Sequence, residues 1–497
     1  MRFSTNYRLA EPRKGGSGGT FGSAFESRRF PPTRAARGAA RNAGCGAKPH
    51  DDKRKFTCHV SLTKHCKIWY NIKKQMFGGA DVRRLVFHVD VNSAFLSWEA
   101  VKRVKAGLPD LRLIPSAVGG DREARRGVIL AKSIPAKQFG VKTGEPIATA
   151  LRKCPTLELA KPDFKLYTRA SRAFVAICEK YAPVVEKFSI DECFLDMSGT
   201  ELIYPDPVAV AYKIKDEIRD TLGFTVNIGI GENKLCAKMA SDFTKPDRVH
   251  TLYMDEVPEK MWTLPVGELF SVGEATAERL ERHGMYRIGD IARCDVSLLV
   301  SIFGEKQGRH LHRCSNGIDN SPVSDEPEAA KGYGNSTTLE RDITSYPEAE
   351  PVILALSDSV ASRMRADGVR AYCVTVSIRT SEFVNRSHQR KLHASTDITN
   401  EIYKIALQLL HELWDGKTPL RLLGVSLSEL DRGDAVQLSL FDDEESMKKR
   451  ERERKLDRTV DEIRKRFGSG TIRLGGVTHE VGKKHRAEAD ERFTDEE

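Results

Sequence analysis

KFSIDECFLDMSG, residues 187–199, sets Asp191 and Glu192 side by side inside a run of Phe188, Ile190, Cys193, Phe194, Leu195 and Met197 that otherwise reads as a buried strand. A carboxylate leaves water only at a cost of several kcal/mol unless a cation or a cluster of donors compensates it, so the pair needs a partner or an escape to the surface. Neighbouring side chains of a regular strand point to opposite faces. Both acids can therefore serve one site only if the strand bends there or one of them points along its edge.

Working outward, LVFHVD (85–90) is a short apolar strand ending at Asp90, and Asn92 is expected to cap an amphipathic helix running to about Lys105. Val208, Ala211, Ile214, Ile218 and Leu222 mark a helical stripe closed by Gly223. FTVNIGIG (224–231) alternates strictly, with Phe224, Val226, Ile228 and Ile230 on one face. Strands and helices in this order make an α+β sheet layer that includes the Asp191-Glu192 strand. From about 254 the pattern turns to short helices punctuated by glycine, and SPVSDEPEAAKG (321–332) has the composition of a linker. A second α+β unit follows, with a helix near 348–366, strands CVTVSIR (373–379) and NRSHQRKLHAS (385–395), a helix to Trp414 and the strand LRLLGVSLSEL (420–430). Beyond Asp431 the chain is charged and helix-prone.

At 497 residues the chain is too long for one core, and about three or four domains are expected. It contains no 18-residue apolar run, so no membrane span is expected. Ten cysteines without paired spacing fit a reducing compartment, and a cytoplasmic location is expected. The net charge of +10 is concentrated in residues 1–80, which hold 17 Lys and Arg against 4 Asp and Glu. The remainder is slightly acidic, so any face that binds a polyanion must arise from local sorting of charge. Residues 1–80 are rich in Gly, Arg, Pro and Ser and read as a disordered basic leader. A nucleic-acid-binding arm and an organellar transit peptide are two readings of it; an upstream extension from a misplaced start, with Met76 as the true one, is preferred. Cys45, Cys58, His59, His65 and Cys66 have the spacing of no closed zinc site.

Three carboxylates, Asp90, Asp191 and Glu192, together with the carbonyl of Val91 could hold two Mg²⁺ ions that share oxygen ligands with substrate phosphates. The alternative is a set of exposed strand-end acids, each with its own salt bridge. GENKLCAKMASDFTKPD (231–247) places Lys234 and Lys238 on a helix and Lys245 just after it, which suits a triphosphate leaving group. SVGEATAERLERHG (271–284) has the form of a helix-hairpin-helix, whose turn offers backbone N–H groups to phosphates; Gly273 and Gly284 are its informative positions, or else simple helix terminators. In the second sheet unit Arg379, Arg386, His388, Arg390 and Lys391 fall on neighbouring strands, a concentration of cations that favours a phosphate backbone.

FHVDVNSAFLSWEA (87–100), RRGVILAKSIPAKQFGVKTGEPI (125–147), FSIDECFLDMSG (188–199) and GENKLCAKMASDFTKPD occur in this order, and together they resemble the Y-family translesion DNA polymerases, nearest the bacterial DNA polymerase IV branch. The resemblance covers residues 81–431 and continues into the tail. It implies a multidomain α+β right hand: a ferredoxin-like palm (81–101 and 164–252), small fingers (102–163), a helix-hairpin-helix thumb (253–320), a linker (321–332) and a βαββαβ little finger (333–431) that grips DNA, followed by a tail (432–497). It implies Asp90, Asp191 and Glu192 as Mg²⁺ carboxylates, Phe95 as the steric gate against ribonucleotides, Lys245 as a triphosphate contact, and Gly273, Arg379, Arg386 and Arg390 as DNA contacts. In AKSIPAKQFG the family usually has Tyr where Ile134 stands and Arg where Lys137 stands, both triphosphate ligands; Ile134 cannot donate, Lys137 lacks the bidentate fork, and Lys132 is the neighbour placed to compensate. Asn92 replaces a common second acid, and Ser271 a usual Gly. QLSLF, with Gln437, Leu438, Leu440 and Phe441, resembles the pentapeptide by which bacterial polymerases dock on the sliding clamp. The implied activity is template-directed addition of deoxynucleotides to a primer by a monomer. A non-catalytic DNA- and clamp-binding adaptor of the same fold, and a metal-dependent nuclease, are the rival classes.

Overall fold

The computed structural model describes residues 84–120, 127–326, 329–433, 444–468, 470–472 and 474–475. The basic leader at 1–80 and the pentapeptide with Gln437, Leu438, Leu440 and Phe441 lie outside them.

Strand β1 (Val86–Val91) enters helix α1 (Ala94–Lys105). The next elements, β2 (Ser116–Gly119), β3 (Ile129–Lys132), α2 (Ile134–Gln138), α3 (Ile147–Lys153) and β4 (Glu158–Ala160), form a small sheet of order β3-β2-β4 with its own core around Ala117, Ile129, Ile147 and Leu157. Helix α4 (Phe164–Cys178) leads back to β5 (Val184–Lys187), β6 (Glu192–Asp196), α5 (Pro207–Leu222), β7 (Val226–Gly231), α6 (Lys234–Asp242) and β8 (Val249–Leu252). These complete a five-stranded sheet of order β5-β6-β1-β7-β8. β1 is central and antiparallel to both β6 and β7.

The two periods read from the sequence meet in one core. Val210, Ala211, Ile214 and Ile218 of α5 pack with Phe224, Val226, Ile228 and Ile230, and with Tyr167, Phe174 and Ile177 of α4, on one face of this sheet. The opposite face of β7 carries Gly229 and Gly231, and α6 lies directly on them. A Cβ at Gly229 would sit 2.0 Å from the Ala237 carbonyl oxygen and 2.4 Å from the Ser241 nitrogen. Only glycine admits so close a helix, and that approach is what carries α6 to the end of β1.

One expectation is corrected here. Asn92 does not cap α1: Ser93 is the N-cap, at φ 48°, without a side-chain cap bond. The Asn92 side chain turns instead into the sheet, accepting from Thr225 Oγ1 at 3.0 Å and donating to Asn227 Oδ1 at 3.1 Å.

Helices α7 (Glu274–Arg282), α8 (Ile288–Arg293), α9 (Val296–Phe303) and α10 (Glu305–Ser315) follow around a core that includes Leu280, Ile288, Leu299 and Leu311. Residues 321–326 run along the first sheet: Arg84 donates to the Ser321 carbonyl, the Ser324 N–H to Glu186, and Val323 packs with Val86 and Phe194. The last unit has the order β9 (Tyr333–Ile343), α11 (Tyr346–Ala366), β10 (Arg370–Thr380), β11 (Asn385–Thr396), α12 (Thr399–Leu413), β12 (Leu420–Asp431). Its sheet is antiparallel, β11-β10-β12-β9, with α11 and α12 covering one face. Helix α13 (Glu444–Phe467) then docks against it through ion pairs.

Candidate active site

The antiparallel register of β1 and β6 pairs Asp90 with Glu192. Asp191 stands just before β6, in a bend, with its carbonyl accepting from the Val91 N–H at 3.0 Å. The strand breaks its alternation at the position where two adjacent acids would otherwise point apart. The Asp191 carboxylate accepts from Ser189 Oγ at 2.7 Å, and the side chains gathered at one point are those of Asp90 and Glu192.

Two ammonium groups answer this pair. Lys238, delivered by α6, lies 2.7 Å from Glu192 Oε1 and 3.5 Å from Asp90 Oδ2. Lys245 lies 2.8 Å from Asp90 Oδ1 and 2.9 Å from Asp242 Oδ1. Burial opposes ionisation of Asp90, but Lys245 and Lys238, with the hydrogen bond from Glu192, outweigh it and hold its carboxyl below the usual range. Glu192 goes the other way: burial first, then Asp90, push it up to about 7. Lys234, the third lysine of the run, pairs with Glu186 and caps the Phe194 ring at 4.8 Å.

Among the described residues no three His, Cys, Asp or Glu side chains are gathered as a metal-holding group. The two carboxylates that do converge are hard oxygen donors held side by side by the strand register. That donor chemistry fits a hard divalent cation such as Mg²⁺.

Two buried polar residues at this site went unread in the sequence. His88 is fully buried; its Nδ1 lies 2.8 Å from Ser241 Oγ, whose own proton goes to the Lys238 carbonyl at 2.8 Å, so the imidazole is the donor there. Burial, then Lys238, hold it neutral, and Nε2 faces Glu192 Oε2 at 3.9 Å. Asn227, opposite Asp90 on β7, is the second. The available signal was the same for both: a polar residue inside an apolar strand, which must find partners when buried.

Phe95 is half-buried, stacked on Tyr167 at 4.6 Å and 15°, and Tyr167 is itself held by Glu99 at 3.0 Å. On α2, beside the small sheet, Ile134 and Lys137 are exposed, while Lys132 at the end of β3 donates to Thr143 at 3.2 Å. Burial, then the charge of Lys137, lower the Lys132 pKa.

Gly273 is the N-cap of α7, with nothing within 4 Å of a Cβ placed on it, and Gly284 takes φ 80° just past the helix. Ser271, before this turn, takes φ 75°. In the last sheet, register separates the cations that composition grouped. Arg386, His388 and Arg390 pair with Ile378, Val376 and Val374 and so share the helix-covered side, where His388 and Arg390 reach Glu412. Arg379 and Lys391, paired with Asn385 and Cys373, belong to the other face.

Models of the impB/mucB/samB family match residues 89–242, its C-terminal domain matches 330–440, and the thumb domain described for DNA polymerase-iota matches 267–319. DNA polymerase IV of Clostridium acetobutylicum is 43% identical over 390 residues, covering 78% of this chain and 97% of that protein. The chain belongs to the Y-family DNA polymerases, in the DNA polymerase IV branch. DNA polymerase IV of Acetivibrio thermocellus is 37% identical, covering 81% of the chain and 99% of that protein. A solved chimera of Y-family polymerases superposes with TM-score 0.60 at 25% identity, over 69% of this chain and 98% of the other. This polymerase is therefore DNA-directed, metal-dependent and of the translesion type, and it binds DNA with a right-hand multidomain α+β fold. No helix among the described residues is long and apolar enough to cross a membrane.

Proposed function

We propose that Asp90, Asp191 and Glu192, with the carbonyl of Val91, hold two Mg²⁺ ions on which the polymerase joins a deoxynucleoside triphosphate to a primer. Bound there, the ions supply Lewis-acid stabilisation of the attacking and leaving oxygens. The primer 3′-oxygen forms a bond to the α-phosphorus, and the bond to pyrophosphate breaks. Lys245, with Lys137 from α2 and Lys132 from β3, neutralises the triphosphate. Phe95, backed by Tyr167, fills the space of a ribose 2′-hydroxyl. Gly273 and Arg379 hold the primer-template backbone, whereas Arg386 and Arg390 lie on the helix-covered side of the sheet, away from Arg379; Gln437, Leu438, Leu440 and Phe441 dock on a bacterial sliding clamp. The polymerase acts as a monomer in the cytoplasm.

The observation that carries this reading is the register pairing of Asp90 with Glu192, closed by Lys238 and Lys245. Primer extension by Asp90→Ala, Asp191→Ala and Glu192→Ala tests it: each is expected to lose at least about 10³-fold in rate, the scale of losing an electrostatic clamp. Variants that extend primers as wild type does would remove Asp90, Asp191 and Glu192 from the metal site.

A further inference from the structure

Lys245 sits on an irregular turn between α6 and β8, before the backbone joins the sheet at Arg248, whose carbonyl accepts from the Ile228 N–H at 2.9 Å, yet it reaches Asp90 at 2.8 Å. Two asparagine side chains supply the missing framework. Asn227 Nδ2 donates to the carbonyls of Ser241 (3.0 Å) and Thr244 (2.7 Å), and its Oδ1 accepts from the Arg248 N–H at 3.2 Å and from Asn92 Nδ2 at 3.1 Å. Asn92 Oδ1 accepts from the Asp247 N–H at 2.9 Å and from Thr225 Oγ1 at 3.0 Å. Both residues are buried and rooted in the sheet, Asn227 opposite Asp90 on β7 and Asn92 just after β1. The turn is thus gripped on both sides of Lys245, at Thr244 and at Asp247 and Arg248. Asp247 needs the grip, since it takes φ 61°; Lys215, its side chain 5% exposed, adds a bond to Asp247 Oδ1 at 2.8 Å.

The donor and acceptor count makes this arrangement specific for amides. Asn227 uses both N–H groups on carbonyls and its oxygen on two donors, so neither its flipped orientation nor aspartate satisfies the same partners. A carboxylate at 227 would place an oxygen against two carbonyl oxygens. At 92 aspartate keeps the two acceptor contacts and loses only the link to Asn227.

We propose that Asn92 and Asn227 form an amide cradle that positions Lys245 for the incoming triphosphate, a positioning role that rests on the assignment of Lys245 as a triphosphate contact. The cradle joins that lysine to the same two strands, β1 and β7, that present Asp90, so the nucleotide-holding cation and the acidic site move as one body.

Steady-state extension with separate titration of nucleotide and primer-template, and a thermal melt for each variant, tests the proposal. Asn227→Asp is expected to raise KM for deoxynucleotide about tenfold, or about 1.4 kcal/mol, with KM for primer-template changed less than about twofold. Asn92→Asp is expected to raise it about threefold, and carries the test if Asn227→Asp does not fold. In the Lys245→Ala background either change should add less than about twofold, because the group being positioned is gone. Folded variants with unchanged nucleotide KM, beside a Lys245→Ala that raises it, overturn the cradle alone, as does full multiplicative loss in the double variants. A Lys245→Ala that leaves nucleotide KM unchanged overturns the triphosphate assignment and the cradle with it.

Discussion

Replacing Arg365 by Leu is expected to release α13 from the last sheet unit without unfolding that unit. The Arg365 side chain is 5% exposed, and its guanidinium donates to Asp461 at 2.7 Å and Asp457 at 3.2 Å on α13, and to the Asp397 carbonyl at 2.7 Å and Thr399 Oγ1 at 3.0 Å on the segment opening α12. Leucine leaves Asp457 and Asp461 one helical turn apart with no buried cation between them, and Asp358 stands on the facing helix. Burial already raises the Asp457 pKa with Arg365 in place, so the loss is not absorbed by solvent. Removing one partner of a buried ion pair costs about 3–5 kcal/mol, and the carboxylates' partial exposure, 15% and 22%, favours the lower end. What remains is Arg454 to Asp397, Arg450 to Glu401 and Arg464 to Asp358, with hydrogen bonds from Ser362 to Asp461, the Thr399 N–H to Asp457 and Asn400 to Glu453. At about 3 kcal/mol the open population of α13 rises about 10²-fold, and tryptic cleavage within 444–467 should accelerate by a similar factor when opening is fast relative to cleavage. The control is Lys455→Leu, whose partner Glu451 lies on the same helix and in solvent; it should cleave nearly as wild type. Arg365→Leu cleaved within about twofold of wild type would show that α13 is not held by this network.

Three further outcomes follow from single geometries. Ser271 at φ 75° bears left-handed strain of about 1–2 kcal/mol, partly offset in Ser271→Gly by the greater chain entropy of glycine, so that variant should gain about 0.5 kcal/mol in a urea titration; a loss would show that the Ser271–His310 contact at 3.1 Å outweighs the strain. Gly229→Ala drives a methyl into the α6 backbone and should cost about 3 kcal/mol in the same titration; wild-type stability would mean that α6 does not need its close seat on β7. Phe95→Ala should raise ribonucleotide incorporation at least about tenfold in competition with deoxynucleotide, and an unchanged ratio would remove Phe95 from the gate.

Periodicity made much of this fold readable before any coordinates. The stripe Val208 to Leu222 and the alternation from Phe224 to Ile230 are local patterns, and each reports which face is buried. Pairing between strands is not local. Nothing in FHVDVN or FSIDECF says that Asp90 opposes Glu192 rather than Asp191, because register is set by the whole sheet. The same blindness merged Arg379 with Arg386 and Arg390: alternation separates faces within a strand, but which face of β11 lies over α12 depends on the neighbour it joins. Asn92 resembled a helix cap because it precedes α1, and its real partners lie 133 and 135 residues away in sequence. The docking of α13 has no apolar stripe to announce it, because its buried contacts are charges and the cation they answer, Arg365, belongs to another helix.

The two lysines at the acidic pair divide their work by exposure. Lys238 keeps 10% of its side chain exposed, rides on a helix seated against glycines and bridges both acids; Lys245 is 36% exposed and projects from a turn. An ammonium that bridges two half-buried acids cannot leave without stranding them, whereas one on a turn can exchange a carboxylate for a phosphate at little cost. In the proposed reaction Lys238 is therefore a fixed part of the fold, and Lys245, its backbone held by the turn, exchanges its ammonium from Asp90 to the triphosphate. Lys238→Met should then destabilise the polymerase by about 3 kcal/mol without nucleotide, the cost of leaving two acids short of a cation. Lys245→Met should melt close to wild type and show its loss in nucleotide KM. If the two variants melt alike, exposure is not what separates them, and both lysines belong to the same structural network.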